Sequence, residues 1–189
     1  MLDVTFICTG NRCRSPLAEA TLAQFAESLP LRVSSCGTLN LGAEPSTDEM
    51  IAAAGNLGVD LIDHRSRHLS QIDLRSADLI LGFELNHVAA AVVDGGAPSD
   101  KVFYLREIVR LLEEIPFVDE DDPEARAKDR IRLAAERRSY DRSHRTGEGI
   151  PDPFGRSERV YADTAGTILD LGRRLVAGLF GTASIREQT

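Results

Sequence analysis

Short apolar runs alternate along this chain with stretches in which apolar residues recur at helical spacing. Residues 2–7 form an apolar run that predicts a buried strand. Residues 17–29 carry apolar side chains at helical spacing, and Pro30 predicts the end of that helix. Residues 31–36 alternate and end at Gly37, which predicts a second strand.

The same alternation continues through the rest of the chain. A capping box at residues 46–49 predicts the start of a second helix. Residues 77–83 are an apolar run of the kind found in strands buried on both faces, and residues 84–93 predict a helix. Residues 102–104 predict a last short strand before another helix, and apolar positions within residues 160–179 predict a C-terminal helix that closes the core.

Strands that alternate with helices predict a parallel sheet whose ligand lies at the carboxyl ends of the strands. We therefore expect an α/β fold: a three-layer sandwich in which helices flank a four-stranded parallel sheet. The length of 189 residues suits a single domain spanning residues 1–189. Hydrophobic residues make up 42% of the chain, with no apolar stretch near the ~20 residues of a membrane span and no N-terminal signal segment. These features predict a soluble cytoplasmic protein.

The net charge and the cysteine content exclude some classes of partner and of fold. The net charge of −8 argues against a nucleic-acid partner or an anionic membrane surface, because both are bound mainly through clustered Lys and Arg. The chain has three cysteines, and this odd number argues against a structural disulfide framework. Free thiols are therefore expected.

Candidate chemistry concentrates in residues 8–16, CTGNRCRSP, between the first strand and the first helix. Ser15 is a good helix cap and Pro16 fits the first helical position, so a helix is expected to start here. A cation such as Arg14 is unfavourable at a helix N-terminus unless an anion lies beside it. Arg14 therefore indicates an anion site.

The loop before this helix has the residues that such a site needs. Gly10 and Asn11 tolerate left-handed backbone angles, so the chain can turn back and direct several N–H groups at one anion. Cys8 ends the first strand at the base of the loop. Helix N-termini and neighbouring cations favour thiolates, so this position suits a cysteine nucleophile.

The motif Cys-x5-Arg-Ser, in its fuller form CTGNRCRSP, resembles that of the low-molecular-weight protein tyrosine phosphatases. The resemblance implies an enzyme that hydrolyses phosphotyrosine in proteins, and aryl phosphates, through a phosphocysteine intermediate on Cys8, without a cofactor or a metal. Inorganic phosphate or another oxyanion would occupy the same site. Arg14 would hold the phosphate oxygens, and Ser15 would hydrogen-bond the sulfur. The phosphate loop after the first strand then comprises Thr9, Gly10, Asn11, Arg12, Cys13 and Ser15.

Asp152 is the expected general acid. It lies in the sequence Ile-Pro-Asp-Pro-Phe-Gly before the C-terminal helix, where the family carries an Asp-Pro that supplies the proton. Phe154 either stacks on an aromatic ring of the substrate or anchors its own loop. Some family members carry a tyrosine pair after Asp-Pro, and this chain has Phe154-Gly155 instead. Regulation by phosphorylation of those tyrosines is therefore not expected.

Other candidates flank the loop. Residues 39–41, Leu-Asn-Leu, fall where the family has a cleft wall, so Leu41 and its neighbours either flank the substrate or form an ordinary surface connection. His64 matches a family histidine that supports the phosphate loop from behind, with a surface loop position as the alternative. His64 and His68 could share a metal, but no carboxylate or cysteine nearby completes a site, so no metal is expected.

Cys13 and Cys36 have two interpretations each. Cys13 is either a small structural residue or the thiol that traps an oxidised Cys8 as a reversible disulfide, which would make the enzyme redox-regulated. Cys36 is expected to be a small core residue in the second strand.

Residues 117–149 form a charged helical insertion compared with the family. The segment begins acidic, and from Pro123 it becomes an Arg-rich helix with only a thin apolar stripe of Ala127, Ile131 and Ala135. One interpretation is a solvated, partly mobile helix. The other is a lid or partner surface whose cations attract a phosphorylated substrate, through Arg137, Arg138, Arg142 and Arg145.

Two other functions compete with the phosphatase. An arsenate reductase of the same fold needs further cysteines, and residues 84–97, where the family would carry them, contain none. A phosphoprotein-binding or redox-sensing module without turnover would not need Asp152. The sequence leaves the oligomeric state and the physiological substrate open.

Overall fold

Four strands form one parallel sheet, in the spatial order Leu31–Gly37, Leu2–Cys8, Leu79–Gly82 and Val102–Tyr104. The computed structural model describes residues 1–25, 28–118, 121–140 and 147–181, without the side chains of residues 139 and 140. The strands and helices of this part of the chain are β1 Leu2–Cys8, α1 Arg14–Ala23, β2 Leu31–Gly37, α2 Asp48–Gly55, β3 Leu79–Gly82, α3 Leu85–Val93, β4 Val102–Tyr104, α4 Leu105–Glu114, α5 Pro123–Tyr140 and α6 Glu158–Phe180.

The sheet is the middle layer of three, as the sequence predicted. Side chains alternate along β1, so Val4 and Phe6 point to the larger core, which α1, α2, α4, α5 and α6 complete. Ile7 points to a smaller core on the other face, which contains Ile80 and residues of α3. The parallel register places Cys8 opposite Gly37, so the carboxyl ends of β1 and β2 meet at one edge.

Helix α1 differs from its prediction at both ends. Cys13 is its N-cap and Arg14 its first residue, so Ser15 lies inside the first turn and does not cap the helix. The helix ends at Ala23, and in the turn that follows the Phe25 amide bonds to the carbonyl of Leu22, three residues back. Phe25 is buried all the same, since apolar residues at helical spacing can pack against a core from a turn.

Helix α2 starts one residue later than the capping-box prediction. Its N-cap is Thr47, whose Oγ1 accepts a hydrogen bond from the Met50 amide at 3.3 Å. Strand β3 is shorter than the predicted run, and all four of its residues are buried, as expected for a central strand.

Helix α5 packs against α4 and α6, and Ala127 and Ile131 are buried in the larger core. Arg137 pairs with Glu114 at 3.3 Å, and the Arg138 guanidinium lies 4.0 Å from the Phe103 ring centroid. One face of the described part of α5 is therefore anchored on the core, while its role as a solvated helix or as a lid or partner surface stays a prediction. Arg142 and Arg145 lie outside the described residues.

Within the described parts of the chain, no helix combines the length and the apolar character that a membrane crossing requires.

Candidate active site

The Cys8 sulfur lies at the centre of the loop that follows β1. Cys8 is only 2% exposed. Its Sγ accepts a hydrogen bond from the Asn11 amide at 3.2 Å and another from the Ser15 hydroxyl at 3.0 Å. The loop therefore folds back over the sulfur, and both donors stabilise negative charge on it.

Asn11 holds this turn with its backbone and its side chain. Its φ of +53° is left-handed. Its Nδ2 donates to the hydroxyls of Ser15 at 2.8 Å and Ser35 at 2.7 Å, and its Oδ1 accepts from the Arg67 amide at 2.8 Å. His64 donates from Nε2 to the Asn11 carbonyl at 2.7 Å. Burial lowers the pKa of His64, so the ring supports the loop in its neutral form.

Gly37 makes room for the loop. A Cβ at this position would lie 2.8 Å from the Thr9 carbonyl oxygen and 3.0 Å from the Asn11 nitrogen, both backbone atoms that cannot move aside. Only glycine fits at this close approach. Sequence reasoning treated Gly37 merely as the end of a strand, because the contact joins residues that are far apart in the chain.

Arg14 joins three parts of the chain. Its side chain is buried, and Nη1 donates to Glu84 Oε2 at 2.6 Å and to the Ile150 carbonyl at 2.8 Å. Nη2 lies 2.7 Å from Asp152 Oδ2. The third nitrogen, Nε, is buried without a hydrogen-bond partner in the described part of the chain. The two motif residues from opposite ends of the sequence, Arg14 and Asp152, thus lie side by side.

The loop that carries Asp152 is fixed to the end of β3. The Ile150 amide donates to the Phe83 carbonyl at 2.7 Å, while the Ile150 carbonyl accepts from Arg14. Asp152 Oδ1 accepts from the Phe154 amide at 3.2 Å, which forms a local turn. These bonds hold the carboxylate at the carboxyl edge of the sheet, where ligands of parallel sheets bind.

A cavity of about 290 Å³ opens at this edge. The exposed apolar side chains of Leu39, Leu41 and Phe154 form its walls, and Phe154 is 61% exposed. The lining residues are Cys8, Thr9, Gly10, Arg12, Cys13, Leu39, Leu41, Asp152 and Phe154. Asn40, the third candidate for a wall, is not among them, and neither is any residue of α5. A larger cavity of about 1080 Å³ lies between the ends of α4, α5 and α6 and contains none of the predicted site residues.

Two residues beside Arg14 were missed by the sequence analysis. Glu84 binds Arg14, and His87, fully buried, lies 3.0 Å from the Thr9 hydroxyl through Nε2. Burial and the positive charge of Arg14 lower the pKa of His87 to about 3. A signal was available in the sequence, since Glu84 and His87 stand at the start of the helix that follows a buried strand of a parallel sheet, at the edge where ligands bind.

The remaining two cysteines are buried thiols. Cys13 Sγ lies 3.5 Å from Thr47 Oγ1, and Cys36 lies within β2. Burial raises the pKa of both thiols to about 12, so both are protonated at neutral pH. His68 binds Ser70 through Nδ1, and the described residues hold no group of three potential metal ligands.

The model of the family described as low molecular weight phosphotyrosine protein phosphatase matches residues 3–133. The chain belongs to this family. A relative with the name protein-arginine-phosphatase, from Bacillus subtilis, is 36% identical over 110 residues, which cover 57% of this chain and 73% of that protein. The low molecular weight protein-tyrosine-phosphatase Etp of Escherichia coli is 38% identical over 88 residues, 46% of this chain and 57% of Etp.

Solved structures of this phosphatase family have the same fold. The low molecular weight protein tyrosine phosphatase from T. tengcongensis has a TM-score of 0.67 at 25% identity, covering 93% of this chain and 98% of its own. The YwlE arginine phosphatase, in a variant with a phosphorylated active-site serine, has a TM-score of 0.67 at 27% identity and covers 100% of both chains. That phosphoserine supports a phosphoenzyme mechanism in the family. The roles of Cys8, Arg14 and Asp152 stay predictions, and the match to the family model ends at residue 133, before Asp152.

Proposed function

We propose that this chain is a cysteine-based phosphatase that hydrolyses phosphotyrosine in proteins, and small aryl phosphates, through a phosphocysteine intermediate. The observation that carries the proposal is that Cys8 and Asp152 line one cavity and that the Arg14 guanidinium lies against Asp152, 2.7 Å from its Oδ2. Binding alone would need the loop and Arg14, but it would not need a carboxylic acid held beside them.

Arg14 and the loop amides bind the phosphate. The Nε of Arg14 is buried and unpartnered among the described residues, and beside Nη2 it offers the planar pair of donors that fits two phosphate oxygens. The amides of Gly10, Arg12 and Cys13 donate to no protein acceptor in the described chain and are left for the same anion. These donors offset the repulsion between a phosphate dianion and the Cys8 thiolate.

The reaction takes two steps. The Cys8 thiolate attacks phosphorus in line, forming the S–P bond as the ester P–O bond breaks, while protonated Asp152 gives its proton to the departing oxygen. In the second step the Asp152 carboxylate takes a proton from water, which attacks phosphorus and releases inorganic phosphate. The donors from Ser15 and Asn11 stabilise the sulfur as it leaves.

The walls of the cavity favour an aryl phosphate. Leu39, Leu41 and Phe154 present apolar surface to the ring of a phosphotyrosine. The similarity to a protein-arginine-phosphatase makes phosphoarginine a second candidate. Arg12 lines the same cavity and argues against it, because its cation would repel the guanidinium of that substrate. Arsenate reduction lacks support, since Cys36 is fully buried and cannot pass a disulfide outward.

The deciding experiment is hydrolysis of an aryl phosphate by the wild type, Cys8→Ser and Asp152→Ala, with and without EDTA. We expect Cys8→Ser to be inactive, Asp152→Ala to lose about 10²- to 10⁴-fold in kcat, and EDTA to have no effect. Wild-type-like turnover in Cys8→Ser would contradict the phosphocysteine, and loss with EDTA would contradict a metal-free reaction. Phosphotyrosine and phosphoarginine peptides of one sequence then separate the two substrate classes.

We also propose the partners of the enzyme and its compartment. Its substrate is a phosphotyrosine-containing protein, and inorganic phosphate competes for the site. All three cysteines are free thiols, which is typical of proteins in a reducing compartment. We therefore propose that the protein is cytoplasmic.

A further inference from the structure

The backbone beside His87 determines where the proton of its ring lies. The Nδ1 atom is 3.1 Å from the amide nitrogen of Glu84 and 3.4 Å from that of Phe83. Backbone amides only donate, so Nδ1 accepts from them and carries no proton. His87 is fully buried, and the guanidinium of Arg14 nearby opposes a second charge, which keeps the ring neutral. The single ring proton is therefore on Nε2.

This proton determines the orientation of the Thr9 hydroxyl. Nε2 lies 3.0 Å from Thr9 Oγ1 and donates to it, and Arg14 Nη2 approaches the same oxygen at 3.5 Å. A threonine hydroxyl has two acceptor lone pairs and one hydrogen. Both lone pairs face donors, and no acceptor in the described part of the chain lies within hydrogen-bond distance. The O–H of Thr9 is left for the cavity, which Thr9 lines together with Cys8 and Asp152.

We propose that His87 is a positioning residue that turns the Thr9 hydroxyl into a hydrogen-bond donor for the oxyanion in the phosphate loop. Thr9 then adds a side-chain donor to the backbone amides and Arg14. The inference rests on the proposed phosphatase function, since it assigns the hydroxyl to the same phosphate site. Gly82 allows the arrangement, because a Cβ there would lie 3.0 Å from the His87 Cβ.

The first test is a set of variants at both positions, assayed by kcat/KM for an aryl phosphate and by inhibition with inorganic phosphate. Thr9→Val keeps the shape and removes the hydroxyl. We expect it to lower kcat/KM about 10- to 100-fold, the effect of one lost hydrogen bond to a charged group, and to weaken phosphate inhibition. Thr9→Ser should retain more activity than Thr9→Val. Thr21→Val is the matched control, because the Thr21 hydroxyl is buried in α1 without a partner among the described residues.

A double-mutant cycle tests the link between the two residues. His87→Leu should lower kcat/KM strongly in the wild type and only slightly in Thr9→Val, since the hydroxyl it orients is already absent. His87→Gln, which can place an amide N–H near the position of Nε2, should recover part of the loss. Independent, multiplying effects of His87→Leu and Thr9→Val would overturn the proposal, and so would a Thr9→Val variant as active as the wild type.

Nitrogen NMR of the wild-type histidine rings gives a readout that needs neither activity nor a folded variant. We expect neutral His87 with its proton on Nε2 from pH 5 to pH 8, and a proton on Nδ1 would overturn the proposal. Phosphate titration followed by NMR of the Thr9 amide and hydroxyl region tests the contact directly. A wild type that binds phosphate in this way but hydrolyses no phosphomonoester would contradict the proposed function and leave the orientation of Thr9 supported.

Discussion

Asn11 shows how one residue can serve a site through both its backbone and its side chain. Its left-handed φ of +53° costs an ordinary residue about 1–2 kcal/mol, and its amide group bonds Ser15, Ser35 and Arg67. Asn11→Gly keeps the backbone angle and removes these bonds, while Asn11→Ala removes the bonds and adds strain. We expect Asn11→Gly to lose about 1–3 kcal/mol in the free energy of unfolding and Asn11→Ala about 1 kcal/mol more.

Urea unfolding measures both variants, and aryl phosphate hydrolysis reports the loop. Both variants should lose activity, because Ser15 no longer receives the bond that orients its hydroxyl toward Cys8. Equal stability of the glycine and alanine variants would show that the left-handed turn is not maintained in solution.

The residues of the site differ in how well the sequence could predict them. Cys8, Arg14 and Asp152 stand out because their motifs are local: a loop between a strand and a helix, and an aspartate between two prolines. Gly37 and His87 act through contacts with Thr9, which is distant from both in sequence. No periodicity or spacing within one segment contains such a contact.

At the scale of the secondary-structure elements, α5 depends on a buried cation. Arg130 is only 5% exposed. Its guanidinium donates to the carbonyls of Leu112 at 2.8 Å, Ile115 at 3.2 Å and Pro116 at 3.0 Å, and to that of Gly178 in α6. Ile115 and Pro116 lie just past the end of α4, so Arg130 satisfies carbonyls that continue beyond the helix and ties α4, α5 and α6 together.

Arg130→Met should therefore destabilise the protein by about 2–4 kcal/mol, since it leaves buried carbonyls unpaired. Arg130→Lys should recover little of this loss, because one ammonium cannot reach four acceptors in a planar arrangement. In urea unfolding we expect a lower midpoint for both variants, with kcat/KM of the folded enzyme unchanged, because Arg130 borders the larger cavity and not the site of Cys8. A midpoint equal to that of the wild type would contradict this account.

The periodicity of apolar residues predicted where the elements lie better than where they end. The pattern located the four strands and the helices between them, because buried side chains recur at a regular spacing in strands and in helices. The start of α1 at Arg14 was missed because Cys13 caps it without a side-chain bond. The packing of α5 was missed because its buried face includes Arg130, and a pattern of apolar residues counts arginine as polar.

At the scale of the whole molecule, Arg14 connects segments from the two ends and the middle of the chain. Its guanidinium binds Glu84 after β3 and the loop of Ile150 and Asp152 before α6, while its backbone begins α1. The site thus forms only when the sheet and the C-terminal loop are both in place. Neutral His87 is buried beside this cluster, so protonating it opposes the fold of the entire chain.

The pKa of His87 makes global stability depend on pH. The unfolded chain binds a proton at His87 below its ordinary pKa of 6.5, whereas the folded protein does so only near 3. Stability is therefore unaffected above pH 6.5 and falls by up to about 1.4 kcal/mol per pH unit as the pH drops below it. The pKa of His64 is also lowered, so His64 adds to the effect in the same direction.

Urea unfolding at pH 7.5 and pH 5.0 measures this dependence, and His87→Gln is the comparison because its side chain does not titrate. From His87 alone the wild type should lose about 2 kcal/mol between these two values, as 1.5 pH units of proton uptake by the unfolded chain imply. The variant starts from a lower stability but should lose correspondingly less. The other titratable groups are the same in both proteins, so the difference between the two losses isolates His87. An equal loss in both would mean that His87 is already charged in the folded protein, or that it is not buried beside Arg14.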